Sequence, residues 1–172
     1  TERDSLPVMN TLGVTTLISD SGVTRYRVNT EEWTVYDRKK PSYWAFEKGV
    51  YLEQFDSIFN IEASIKADTA YYYDKQKLIG NVDIQNRKGE RFNTELLYWN
   101  ESTQKVYSDK FIRIQQPDRV ITGHGFDSNQ QMTVYVIQNI EGIFYVDEEA
   151  SSGPPQPETK TLPDSVNKDS AK

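Results

Sequence analysis

The sequence predicts an all-β protein, an antiparallel sandwich or curled sheet, on three observations. Apolar and polar residues alternate with a period of two along most of the chain, the mark of a strand rather than of a helix. Strand-like runs recur at intervals of roughly 8–12 residues with turn-forming clusters between them. Aromatic residues make up 12% of the chain, with 11 Tyr, and such side chains pack well on a pleated surface.

The elements follow in order. Residues 1–10 are expected to fray, with a short helix within 1–12 as the one helical alternative. Early strands are expected at VTRYRV (23–28), EWTVYD (32–37), YWAF (43–46) and VYLEQF (50–55). The clearest alternation is FNIEASIKAD, where Phe59, Ile61, Ala63, Ile65 and Ala67 share one face against Asn60, Glu62, Ser64, Lys66 and Asp68. The strand signal continues in TAYYYD (69–74). LIGNVDIQN then groups Leu78, Val82 and Ile84, RFNTELLYW groups Phe92, Leu96 and Tyr98, FIRIQ groups Ile112 with Ile114, and MTVYVIQ groups Met132, Val134 and Val136. Turns are expected at Asp20-Ser21-Gly22, Lys39-Lys40-Pro41, Lys48-Gly49, Asp74-Lys75, Lys88-Gly89, Asn100-Glu101-Ser102, Gln116-Pro117-Asp118 and Asp127-Ser128-Asn129. A small residue (Gly80, Ser108, Gly123) recurs before an apolar strand, where it permits a bend.

The chain of 172 residues suits one domain, expected over 11–149. The last 23 residues, 150–172, hold four of the seven prolines and no aromatic residue, so they are expected to be a disordered tail.

Composition excludes several functions. A net charge of −6 without clustered Lys/Arg argues against a nucleic-acid groove. With no cysteine, neither a disulfide nor a thiolate site is available. No apolar run approaches the ~20 residues of a membrane-spanning helix. The chain opens at Thr1, which is expected to follow removal of an upstream signal or anchor. His124 is the only histidine and is expected to be an exposed strand-end residue. No Ser lies in a nucleophile elbow, no glycine-rich loop precedes a helix, and nothing selects a catalytic pair among the carboxylates. Catalytic residues, metals and cofactors are therefore expected to be none. Tyr43, Trp44, Tyr71, Tyr72, Tyr73, Tyr98 and Trp99 could form a sugar-stacking face, but ordinary cross-strand packing explains them better.

One stretch carries a resemblance. KLIGNVDIQNRKGERFNTELLYWNESTQKVYSD, residues 77–109, resembles the OstA-like repeat of lipopolysaccharide export proteins through Gly80, Asn81, Val82, Gly89, Thr94, Leu97, Tyr98, Val106, Ser108 and Asp109. ITGHGFD adds Gly123 and Gly125. A single copy with an irregular first third most resembles the LptC family. The resemblance implies a boat-shaped, splayed β-jellyroll in the periplasm, held at the inner membrane by an N-terminal helix or a lipid anchor, and no enzymatic activity. It also implies that lipid A of lipopolysaccharide passes through the apolar interior. The groove would be lined by Phe59, Ile61, Ile65, Val82, Ile84, Leu96, Tyr98, Ile112, Ile114, Val134 and Val136. The implied partners are the ABC transporter subunits LptB, LptF and LptG and the bridge protein LptA, joined edge strand to edge strand. A soluble LptA-like bridge and a carbohydrate-binding sandwich are the alternatives.

Overall fold

The period-two pattern becomes eleven strands in the computed structural model, which describes residues 6–73 and 76–146. They are β1 (Met9–Asp20), β2 (Val23–Tyr36), β3 (Tyr43–Phe46), β4 (Val50–Phe55), β5 (Ile61–Ala67), β6 (Thr69–Tyr72), β7 (Gln76–Asn86), β8 (Arg91–Asn100), β9 (Lys105–Gln115), β10 (Arg119–Asn129) and β11 (Tyr135–Tyr145). All belong to one antiparallel sheet in the order β11-β10-β9-β8-β7-β5-β4-β2-β3-β6, with β1 also on β2 and β6 also on β7.

That order conceals a simple meander. β3 and β4 are successive pieces of one bent strand, both on the same edge of β2. β5 and β6 are likewise two pieces of a strand that lies between β4/β3 and β7. Every bent strand is thus next to its neighbours in sequence, as short connections favour.

A crease crosses the sheet where the strands break or slip register. It runs through residues 47–49, Asp68, the slip between Ile79 and Val82, the slip between Thr94 and Tyr98, and the slip between His124 and Phe126. Bulges of this kind bend a strand and increase its local twist. Here they fold the sheet over, so that a half containing β3 and β6 faces a half containing β4 and β5. Contacts between strands that are not neighbours in the sheet record the closure. Tyr26 of β2 meets Trp99 of β8 edge to face at 5.3 Å, and Phe92 of β8 lies 6.0 Å from Phe126 of β10. Val82, Ile84, Phe92, Leu97, Trp99, Ile112, Ile114 and Phe126 form the centre of the core between the halves.

Several motif residues build the crease. Gly80 has φ of +78° and Asn81 +45°, the left-handed region that glycine and asparagine tolerate best. Asp68 donates its backbone N–H to the Gly80 carbonyl at 2.9 Å, and the Asn81 amide donates to the Asp68 carboxylate at 2.8 Å. The Thr94 hydroxyl donates to the Phe111 carbonyl across the crease at 2.8 Å. A Cβ on Gly80 would sit 2.9 Å from that same Asp68 oxygen. Gly80→Ala is therefore expected to cost about 2 kcal/mol through left-handed strain and displacement of Asp68. Thermal melting should fall by roughly 5–10 °C. An unchanged melting temperature would show that the bend does not depend on this residue.

The structure departs from expectation at identifiable places. Residues 9–20 form β1, not a frayed end or a helix, and β2 joins the two strands expected at 23–28 and 32–37. Asp127, Ser128 and Asn129 belong to β10, and the chain reverses at 130–134 instead. The expected tail at 150–172 lies outside the described residues.

Candidate functional site

Strand parity and the crease together decide what faces the space between the halves. Toward β7–β10 that space is filled, since Val82, Ile84, Phe92, Ile112, Ile114 and Phe126 are each 0% exposed. A polar clasp closes the strand ends there. The Asn86 amide donates to Glu90 at 2.9 Å and to the Met132 carbonyl at 2.8 Å, while the Tyr135 hydroxyl donates to the second Glu90 oxygen at 2.6 Å. Burial, then the Glu90 carboxylate, pushes the Tyr135 hydroxyl up to about 12, so it stays a neutral donor at physiological pH.

Toward β2–β6 the two halves do not meet as closely. A cavity of about 150 Å³ lies between them. Val28, Val50 and Leu52 line it from the β4/β5 half, and Trp44, Phe46, Ala70 and Leu78 from the β3/β6 half. The local sequence explains each wall. Trp44 and Phe46 share one face of β3 and Val50 and Leu52 one face of β4, and the break at Glu47–Gly49 lets both pieces aim that face inward.

The mouth of the cavity is amphipathic. Ile18, Tyr26 and Glu101 border both the cavity and a polar seam of about 640 Å³ between the strand ends, lined also by Arg25, Gln54, Asp56, Glu62, Gln104, Gln130 and Gln131. Gln76 donates its amide to Glu101 at 2.8 Å across the opening. Tyr26 is pushed up to about 12, by burial first and by the Glu101 carboxylate second, so it too presents a neutral hydroxyl. An apolar interior beside a polar seam can seat a chain and leave a hydrophilic head outside. Such an arrangement binds by burial and needs no catalytic group.

The residues read from sequence as a groove divide into two sets. Ile65, Val82, Ile84, Ile112 and Ile114 do face inward, but they form the packed core and not the cavity wall. The rest require correction. Phe59 stands in the β4–β5 turn at φ +66°, and Ile61 opens β5 just past the register slip at Gln54/Phe55; both are exposed. Leu96 and Tyr98 turn outward because the crease slips β8 by one residue, which puts Leu97 and Trp99 inside. Val134 and Val136 are 71% and 63% exposed, because Val134 ends the turn before β11 and that strand enters in the opposite phase, offering Tyr135 and Ile137 to the core.

Among the motif residues, Gly89 occupies the β7–β8 turn at φ +76°, Asp109 lies exposed in β9 near the crease, and Gly123 and Gly125 lie where β10 slips against its neighbours. His124 is exposed, 2.6 Å from Glu141 through Nδ1 and edge to face with Phe111. The aromatic face also separates. Trp44, Tyr72 and Trp99 turn toward the interior side, whereas Tyr36, Tyr43 and Tyr73 stack on one another outside at 4.7 and 4.8 Å. Rings that cover each other's faces do not make a coplanar sugar platform. Among the described residues no group of three or more His, Asp or Glu side chains could hold a metal ion.

With this geometry in place, comparison with known families is decisive. A family model described as lipopolysaccharide-assembly, LptC-related, matches residues 10–145, from the second residue of β1 to the last of β11. The chain belongs to the LptC family. The matched span covers both half-sheets, the crease and the cavity. LptC proteins are transport and assembly components for lipopolysaccharide, associated with the periplasm and inner membrane, and are not an enzyme family. No match was found among individually curated proteins. Among the described residues no helix is long and apolar enough to cross a membrane.

Proposed function

We propose that this chain receives lipopolysaccharide from the inner-membrane ABC transporter formed by LptB, LptF and LptG and passes it to the bridge protein LptA. Acyl chains would enter the cavity between β2, β3, β4, β6 and β7, with the saccharide left in the polar seam. The observation that carries this reading is the cavity itself, apolar inside and bordered by polar groups at its mouth. Each CH₂ removed from water contributes about 0.8 kcal/mol, so a partial enclosure holds an acyl chain without a head-group pocket.

The sheet edges support the assembly part of the proposal. Among the described residues β1 pairs only with β2 and β11 only with β10, which leaves a free backbone edge at each end of the meander. Leu12 and Leu17 on β1 and Ile140, Phe144 and Tyr145 on β11 are exposed apolar side chains beside those edges. A free edge with apolar neighbours can accept a strand from another chain. Membrane attachment would come from a segment upstream of the described residues.

The test is site-specific photo-crosslinking in vesicles that carry the transporter and hydrolyse ATP. A photoreactive residue at Val28 or Leu52 is expected to capture lipopolysaccharide only when ATP is supplied, and one at Lys66 or Asp83, on the outer face, is not. Equal capture from both faces, or none from the cavity in an actively transporting system, would leave a protein that only joins its partners.

A further inference from the structure

The β2–β3 hairpin carries a feature that the interior conduit does not use. Residues 36–43 read YDRKKPSY, three consecutive cations against one acid in a chain of net charge −6. This is a Lys/Arg cluster after all, although far too small for a nucleic-acid groove. Arg38 and Lys40 are exposed. The Lys39 ammonium lies 5.2 Å from the Tyr36 ring centre and 5.7 Å from that of Tyr43. Tyr43 stacks in turn on the exposed Tyr73. Cations and tyrosine hydroxyls are thus gathered at one tip of the β3/β6 half, on its outer side.

A second, independent observation concerns the chain's own path. β1 begins beside this tip, because Met9 pairs with Val35 and the Val8 N–H donates to the Val35 carbonyl at 2.9 Å. Leu6, Val8 and Met9 are all exposed apolar residues. The tip therefore combines cations, tyrosines and unpartnered apolar side chains within one end of the sheet. Tyrosine with Lys or Arg is the composition that settles at a lipid–water interface, and cations are drawn to anionic head groups.

We propose that this tip rests on the surface of an anionic phospholipid bilayer, orienting the jellyroll with the β2–β3 hairpin toward the membrane. The three cations supply the attraction, the tyrosines sit at head-group level, and Leu6 and Val8 dip toward the acyl boundary. The acidic remainder of the surface is repelled, which makes the orientation specific to this end.

Co-sedimentation of the chain with vesicles tests the proposal. Vesicles of equal parts phosphatidylglycerol and phosphatidylcholine are expected to bind it, and phosphatidylcholine alone to bind it poorly. Binding should weaken as salt screens the contact. The triple variant R38Q/K39Q/K40Q removes three cations, each worth roughly a five-fold factor near an anionic surface, and should lower partitioning on the order of a hundredfold. The control K66Q/K105Q/K110Q makes the same change in net charge at exposed sites elsewhere and should bind like the parent chain. Both variants alter surface residues and should melt as the parent does, which circular dichroism checks. Equal binding to both vesicle types, full binding by the tip variant, or an equal loss in the control would each overturn the proposal. So would loss of lipopolysaccharide binding by the tip variant with phosphatidylglycerol binding intact, since that would make the tip a head-group site.

Discussion

Val82→Asp and Ile114→Asp are expected to give chains that do not fold, the largest effect of any single substitution considered for this protein. Both side chains are 0% exposed and both belong to the main core cluster, on the β4/β5 half opposite Phe126. Replacing either one forfeits about 1.5–3 kcal/mol of apolar burial. It also places a carboxylate among Ile84, Phe92 and Ile112, and among the described residues no Lys or Arg is buried to pair with it. An unpaired buried charge costs several kcal/mol more even after relaxation. The sum rivals the 5–15 kcal/mol that stabilises an ordinary domain. Far-UV circular dichroism and thermal melting should show loss of the cooperative transition, whereas Ile114→Val should cost only about 1 kcal/mol. A Val82→Asp chain that melted like the parent would mean that the inner and outer faces of β7 had been exchanged. The consequence for function is direct. A transport defect in these variants would report unfolding and say nothing about passage through the interior, so charges meant to probe passage belong at the cavity wall.

That distinction was only partly legible in the sequence. The alternation at Ala63, Ile65 and Ala67 and at Val82 and Ile84 identified the inner face of β5 and β7 correctly, because no extra residue interrupts those stretches. Val134 lies in the turn before β11 and Val136 takes the phase in which that strand begins, whereas Leu96 and Tyr98 depart from expectation because of a bulge. Strand parity survives only to the next bulge, and a slip of one residue exchanges the two faces. In β8 the slip falls between Thr94 and Tyr98, within a run, ELLY, whose two adjacent leucines fit either phase. The recurring small residues did announce a bend, and Gly80 lies on it, yet nothing in the sequence revealed that the bends align into one crease across the sheet. β1 escaped notice because an edge strand with almost every side chain exposed has no need of a clean apolar face. The cavity was hidden for a related reason. Most of its walls come from β2, β3 and β4, in the irregular first third, with β6 and β7 completing them, and whether facing walls touch is a matter of tertiary spacing.

Ala70→Leu is expected to separate folding from lipid binding, which the charged core variants cannot do. Ala70 lies on β6 between Phe46 and Leu78 and lines the cavity from the β3/β6 half. In a packed core the larger side chain would cost about 1–3 kcal/mol through overpacking. Here the added carbons extend toward about 150 Å³ of open space, so melting should stay within a few degrees of the parent or rise. The same carbons exclude an equivalent length of acyl chain. Three displaced CH₂ groups at about 0.8 kcal/mol each weaken acyl binding by roughly fifty-fold. Displacement of a fluorescent fatty acid measures the affinity, and crosslinking from Leu52 during transport measures occupancy. Ala70→Ser, which keeps the space open, should bind acyl chains nearly as the parent does and controls for substitution at this position. A stable Ala70→Leu protein with full acyl affinity would move the lipid out of this cavity, and lost affinity with retained stability would place the acyl chain against β6.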